Sequence, residues 1–305
     1  MSQINPAYDS NRLQPTPPQE SQPAESLRRS PEQQAEFERL GKADTYYVLE
    51  SDEEFFRWLD DQRDRKSCGY VIAPEGTGLH KVCRYYQMER VKQRRGKFLL
   101  PVSVIYAEIE QYGGPKDLYG AILTACSHPL AHVGPLKDRR DRTIDTLRKY
   151  GTKILILNHA DYFALESLNE LVDCAKKAPI SIILVGTPYL EQLLGRNSFP
   201  YIRIHDSFLE VHEFPRLERQ DVIEMIEDWE ELFLGEQRLN LASDPEVLKF
   251  LHEKSGGLRE ALYEIVRQIA TVKLDKPNLE LSRTNLVKQL GKRKKPKVMV
   301  RKKAD

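Results

Sequence analysis

Short apolar runs punctuate the middle of the chain. Residues 69–74 (GYVIAP), 99–109 (LLPVSVIYAEI), 153–157 (KILIL), 180–185 (ISIILV) and 208–214 (FLEVHEF) each have the length and composition of a strand. Most are continuously apolar rather than alternating, as in strands covered on both faces. Between them lie stretches with helical spacing, at about 78–92, 116–126 and 138–150, and at Leu165, Leu168, Leu171, Val172 and Ala175. Such alternation predicts an α/β domain with a parallel sheet between layers of helices. Beyond Phe214 the strand pattern stops. Val222, Ile226, Trp229 and Phe233 share one helical face, as do Leu262, Ile265, Val266 and Ile269, so residues 215–290 are predicted to be all-helical. Upstream, Ser30-Pro31-Glu32 reads as a cap with proline in the first helical turn. Ser51 with Glu54 reads as a capping box opening a helix through Phe55, Phe56, Trp58 and Leu59.

The ends of the chain have a different character. Residues 1–29, with Pro15, Pro17, Pro18 and Pro23 among Gln and Ser, hold too few apolar side chains to bury and are expected to be a disordered arm. Residues 291–305 form a basic tail containing Lys292-Arg293-Lys294-Lys295-Pro296-Lys297 and Arg301-Lys302-Lys303. The expected division is therefore 1–29 arm, 30–214 α/β core, 215–290 helical unit and 291–305 tail. Over all 305 residues the formal net charge is only +1, so the chain is no polycation and any nucleic-acid affinity must come from local clusters such as the tail. The alternative for that tail is a solubility or docking segment. No apolar run approaches the roughly 20 residues that span a bilayer, and the N-terminus lacks the apolar core of a secretion signal. Cys68, Cys83, Cys126 and Cys174 are far apart and form no CxxC pair, which fits reduced core thiols of a cytoplasmic protein. His128 and His132 are four apart, but Pro129 between them keeps them off one helical face, so no metal site is expected. Tyr85 and Tyr86 are read as packing residues.

Candidate chemistry begins after the first strand. A phosphate-binding loop, G-x-x-x-x-G-K-[ST], cradles phosphates on backbone N–H groups, uses lysine on the β/γ-phosphates and Ser/Thr on Mg²⁺. The segment in that place is Ala73-Pro74-Glu75-Gly76-Thr77-Gly78-Leu79-His80. Gly78 keeps the second glycine. Ala73 replaces the first, Leu79 the lysine and His80 the metal-binding hydroxyl, while Pro74 removes a backbone donor and Glu75 adds a carboxylate. Each lost charge-assisted hydrogen bond costs roughly 1.5–3 kcal/mol. A rescue by Lys81 would have to overcome a helical turn of about 200° away from the lysine position. The segment taken alone is also compatible with an ordinary strand–turn–helix.

A second motif departs in the same way. In P-loop ATPases another apolar strand ends in Asp-Glu, which hold Mg²⁺ and polarise the attacking water. Here ILIL runs into Asn158-His159-Ala160-Asp161. Neutral Asn158 is a poor Mg²⁺ ligand, and a positioned base at His159 would be worth about 10²–10⁴ in rate only with something to act on. The two motifs have changed at their chemical positions while their apolar strands persist.

Several stretches then resemble one family, the AAA+ regulators TnsC, TniB and MuB, with the TnsC of type V-K CRISPR-associated transposons foremost. They are Trp58-Leu59-Asp60 with Arg65-Lys66-Ser67-Cys68, then Gly114-Pro115-Lys116-Asp117-Leu118, Arg140-Asp141-Arg142-Thr143-Ile144, Leu184-Val185-Gly186-Thr187 and Gly256-Gly257-Leu258-Arg259. The resemblance implies a P-loop AAA+ parallel-sheet domain with a C-terminal helical lid. It makes Thr187 and Arg259 the sensor residues and Arg196 or Arg203 the finger between subunits. Members assemble with ATP into filaments around duplex DNA, engage the adaptor TniQ and are trimmed by the transposase TnsB. Lys116 stands where the family contacts the DNA backbone. The family's second DNA-contacting threonine has no counterpart in Val133–Lys137, although Lys137, Arg139 and Arg140 offer charge nearby.

The reading for this chain is a catalytically inactive TnsC-like scaffold that self-assembles and binds double-stranded DNA, with no cofactor required and bound Mg·ATP as the alternative. Its degenerate site comprises Ala73, Gly76, Thr77, Gly78, Leu79, His80, Asn158, His159, Thr187 and Arg259. Its DNA residues are Lys116, Lys137, Arg139 and Arg140. Two rivals stay open: a divergent, slow ATPase, and a domesticated protein that forms filaments without DNA.

Overall fold

The computed structural model describes residues 29–91, 93–94, 97–98, 102–109, 113–196 and 198–291. The N-terminal arm up to residue 28, the basic run from Lys292 and part of the predicted 99–109 strand lie outside these residues. Helices α1 (Pro31–Gly41) and α2 (Glu50–Arg65) lead into β1 (Gly69–Ile72) and α3 (Leu79–Arg90). A two-residue pair, β2 (Gln93–Arg94) and β3 (Lys97–Phe98), precedes β4 (Val104–Glu108), α4 (Pro115–Ala125) and α5 (Leu136–Tyr150). Next come β5 (Ile154–Asn158), α6 (Leu165–Lys177), β6 (Ser181–Gly186), α7 (Pro188–Leu194), α8 (Phe199–His205) and β7 (Glu210–Glu213). Only helices follow: α9 (Arg219–Leu234), α10 (Pro245–Ser255), α11 (Arg259–Asp275) and α12 (Arg283–Leu290), with short 3₁₀ turns between α9 and α10.

Among the described residues, five strands form one parallel sheet in the order β4-β5-β6-β1-β7. The continuously apolar runs occupy its centre: every residue of β5, and all of β6 except Gly186, is buried. Strand β7 is an edge and largely exposed, despite its apolar flanks Phe208 and Phe214. At Gly69 a side chain is sterically excluded, because a Cβ would stand 2.5 Å from the Glu210 carbonyl oxygen on β7.

Two apolar cores result. One fills the space around the sheet, from Phe55 to Phe214. The other joins the C-terminal helices around Trp229, Leu251, Leu262 and Val266, and it also takes in Leu40, Ala43 and Leu49. Leu40, Ala43 and Leu49, expected within the α/β core, therefore pack with the helical unit, because the apolar side of α1 lies on α11, while Tyr46 and Val48 pack on the sheet core.

The Ser30 cap forms as expected, its side chain accepting from the Gln33 N–H. The Ser51–Glu54 box does not. Helix α2 starts at Glu50, and the Asp52 carboxylate accepts the Leu49 N–H at 3.0 Å. With Leu49 as the cap, the third helical residue is Asp52 and not Glu54. No described helix is long and apolar enough to cross a membrane.

Candidate functional site

The carboxyl ends of β1, β5 and β6 open onto one cleft of about 230 Å³, walled by the 73–80 segment, residues 158–162, Thr187 and Glu260. The parallel sheet places it there, where ligands of open α/β sheets bind. Gly76 and Gly78 carry φ of +83° and +75°, which glycine adopts without strain. Thr77 turns inward: its N–H and hydroxyl both reach the Pro74 carbonyl, at 3.3 and 3.0 Å. At the position a phosphate loop gives to lysine, the Leu79 side chain is 6% exposed and belongs to the sheet core. His80 is partly exposed and has Nδ1 3.5 Å from the Glu260 carboxylate. Lys81, the residue considered as a replacement cation, pairs with Asp44.

Across the cleft, Asn158 ends β5 with only 8% exposure, and His159 follows exposed at φ +60°, its ring 6.0 Å from Tyr162. Asp161 accepts from the Thr187 hydroxyl at 3.1 Å and from its N–H at 3.4 Å, while Thr187 itself caps α7. The sensor-like threonine is thus tied to a carboxylate of its own chain. The helical unit closes from above, where the Glu260 N–H donates to the Gly76 carbonyl at 3.0 Å.

Arg259 lies behind the loop rather than facing the cleft. Its side chain runs past Gly78, and its guanidinium makes a bidentate pair with Asp52, at 2.8 and 3.0 Å. The side chains are 5% and 0% exposed, and the Tyr46 hydroxyl donates to the same carboxylate at 2.9 Å. Burial alone would lower the Arg259 pKa, but Asp52 holds it above its ordinary value. Nothing in the sequence pattern marks Asp52, one acid in the run Glu50-Ser51-Asp52-Glu53-Glu54, as the partner of an arginine 207 positions away.

The four cations predicted to meet DNA have different surroundings. Arg139 is committed to backbone carbonyls: Lys116 at 3.0 Å, Gly134 at 3.2 Å, and His132. Arg140 makes a bidentate pair with Glu170, which also accepts from Tyr119. Burial pushes the Glu170 carboxyl up, but hydrogen bonds from Arg140 and Tyr119 outweigh it and hold the group below its ordinary range. These two arginines brace α4 against α5 and α6. Lys116, in the first turn of α4, and Lys137, at the start of α5, are exposed, and their ammonium groups have no partner among the described residues. Of the two finger candidates, Arg203 pairs with Asp173. Arg196 is exposed, donates to the hydroxyls of Tyr189 and Tyr201 at 3.2 and 3.3 Å, and lies 5.4 Å from the Tyr201 ring centre. Tyr86 is fully buried with its hydroxyl on Asp60 at 2.7 Å, and Tyr85 packs on Phe56.

Comparison with known proteins gives the fold. The fold is that of the AAA+ P-loop proteins, and residues 62–194 match the family described as "AAA domain". Among solved structures, the Aeropyrum pernix ORC2 protein in its ADP form superposes with a TM-score of 0.57 at 13% identity, over 83% of this chain and 71% of that one. The Aeropyrum pernix ORC1 protein in complex with DNA gives 0.56 at 16% identity, over 83% and 68%. Domain III of the Thermotoga maritima replication initiation protein DnaA gives 0.50 at 13% identity, over 83% and 94%. A search of curated proteins finds no match.

Proposed function

We propose that this chain is a nucleotide-independent AAA+ scaffold of TnsC type. On this reading it binds duplex DNA through Lys116 and Lys137, self-assembles there and acts in transposition target selection without hydrolysing ATP. The observation that carries the reading is the burial of Leu79 at the lysine position together with neutral Asn158 at the metal position. A bound triphosphate would meet an isobutyl wall and the Glu75 carboxylate where catalysis needs an ammonium and a metal. His159 stands where such ATPases keep the carboxylate that polarises the attacking water, and it has no charged partner among the described residues. The sensor-like Arg259 is held by Asp52.

DNA binding is supported by the two open lysines at the start of α4 and α5, and by the same fold occurring in the DNA complex of the Aeropyrum pernix ORC1 protein. The transposition role, with TnsB and TniQ as partners in the cytoplasm, rests on the Gly114–Leu118, Arg140–Ile144 and Gly256–Arg259 stretches. The test is turnover of radiolabelled ATP by purified protein, paired with negative-stain microscopy with and without duplex DNA. The expected result is no phosphate release above buffer, and assemblies that need DNA but not ATP. Hydrolysis abolished by His159→Ala would establish the divergent ATPase instead. Filaments without DNA would establish the structural alternative.

A further inference from the structure

A cavity of about 630 Å³ lies away from the cleft, between α3, β4 and α4. That volume falls within the roughly 300–1,000 Å³ of sites for small organic groups. Ala107, Ala121 and Ala125 line it with small apolar surface, and Arg84, Glu108 and Asp117 add charge. Glu108 accepts from the Tyr106 hydroxyl at 2.8 Å and lies 3.5 Å from the Arg84 guanidinium. Asp117 accepts the Gly114 N–H with one oxygen, at 2.9 Å, and its second oxygen has no hydrogen bond among the described residues. His132, in the turn before α5, stands in the wall of the same cavity. The Thr124 hydroxyl donates to the Gly120 carbonyl at 2.8 Å, so at 3.0 Å it accepts from His132 Nε2. A Cβ on Gly120 would lie 2.9 Å from Nδ1 and 3.1 Å from Cε1 of that ring. Glycine inside a helix costs stability relative to alanine, and here it makes room for the imidazole. With both nitrogens turned to α4, the imidazole offers the cavity a ring face. An open cation is tied to this wall. The Arg139 guanidinium donates to the carbonyls of both His132 and Lys116, which holds the exposed Lys116, next to Asp117 in the chain, beside the cavity.

We propose that the cavity takes one unpaired, amino-bearing nucleobase, cytosine or adenine, from a DNA strand whose phosphate Lys116 holds. Bases outside a double helix are recognised by stacking on a ring face and by hydrogen bonds to their edges, and His132 with the charged residues supplies both. Carboxylates accept from an exocyclic amine, as Glu and Asp do from cytosine N4, and Arg84 can donate to the acceptor beside that amine. Thymine has no such amine. An anion would meet two carboxylates, and no three His, Cys, Asp or Glu side chains among the described residues converge to hold a metal ion. The proposal rests on the reading that Lys116 contacts DNA, and adds to it a preference for a base outside the duplex.

The test is fluorescence-anisotropy titration of the purified full chain with labelled duplexes, either fully paired or carrying a single bulged cytosine, adenine or thymine. Bulges are used because an unpaired base costs least to extrude. Free cytidine and adenosine are titrated calorimetrically in parallel. The expected result is that bulged cytosine or adenine binds about tenfold or more tighter than the paired duplex, while bulged thymine does not. Ala121→Leu fills the cavity and His132→Ala removes the ring. In both, the ratio of bulged to paired affinity should fall to about one, with an unchanged melting temperature for Ala121→Leu. A ratio near one in the wild type, an equal gain from thymine, or a gain that survives Ala121→Leu overturns the site. If the paired duplex binds and is weakened by Lys116→Ala while bulges bring nothing, this inference falls and the proposed function stands. Nucleoside binding that is lost in Ala121→Leu, without any bulge preference, moves the base from DNA to a free nucleoside. If neither DNA nor nucleoside binds, this inference and the reading beneath it both fall.

Discussion

The cleft and the α4–α5 face treat their charges in opposite ways. Around the cleft the cations are turned away and neutralised, Arg259 in a sealed pair with Asp52 and Lys81 on Asp44, so that what faces solvent is carboxylate, amide and imidazole. On the α4–α5 face the arginines are spent on backbone carbonyls and Glu170, yet Lys116 and Lys137 stay open. The difference teaches that counting basic residues near a site is a poor guide to what it binds. What matters is which charges remain uncompensated after folding, and by that criterion the surface suited to an anion is the helical face rather than the cleft.

The largest effect that can break this comparison is on stability. Replacing Arg259 by leucine leaves the Asp52 carboxylate sealed without its counter-charge and is expected to cost about 3–5 kcal/mol, read from the denaturant midpoint. The Asp52→Leu/Arg259→Met double variant should lose clearly less, because no lone buried charge remains. Equal losses would mean that the pair is not the latch between the helical unit and α2.

A smaller effect sharpens the other side. Lys116→Ala and Lys137→Ala should each reduce the slope of log affinity against log salt by about 0.9 on duplex DNA. The loss should be similar for unrelated sequences, since phosphate contacts read no bases. Arg139→Ala should instead lower stability by loosening the 132–135 turn, and sequence-selective DNA loss at Lys116 would contradict the assignment.

The smallest expected effect is in acid. The folded-state pKa of Glu170 lies below its ordinary value of 4.5, so the unfolded chain binds more protons than the native one as pH falls through that range. Its contribution is therefore complete above the ordinary value and lost as pH drops through the lower folded value. Urea midpoints measured down the acid limb should fall less steeply for Glu170→Gln than for the wild type. An identical slope would show that the Arg140 pair does not hold in solution.

Much of this was legible in the sequence, and the reasons are particular. The runs at 153–157 and 180–185 are continuously apolar because both faces of β5 and β6 are covered, and that alone places them at the sheet centre. Leu79 at the start of α3 and Asn158 at the end of β5 could be placed because the apolar strands that lead to them are plain in the sequence. The partners of charged groups were not legible. Periodicity reports which face is apolar, but it does not report that Asp52 meets Arg259, that Asp44 meets Lys81, or that Arg139 turns onto three carbonyls, because each pairing depends on how separate elements pack. The placement of α1 on α11 was hidden for the same reason.

The central claim, that the cleft does not hold Mg·ATP, is tested most directly by equilibrium titration of the purified protein with ATP in the presence of Mg²⁺. The account expects no saturable heat and no shift in melting temperature. Saturable binding that is lost when Gly78 or Asn158 is replaced would contradict it.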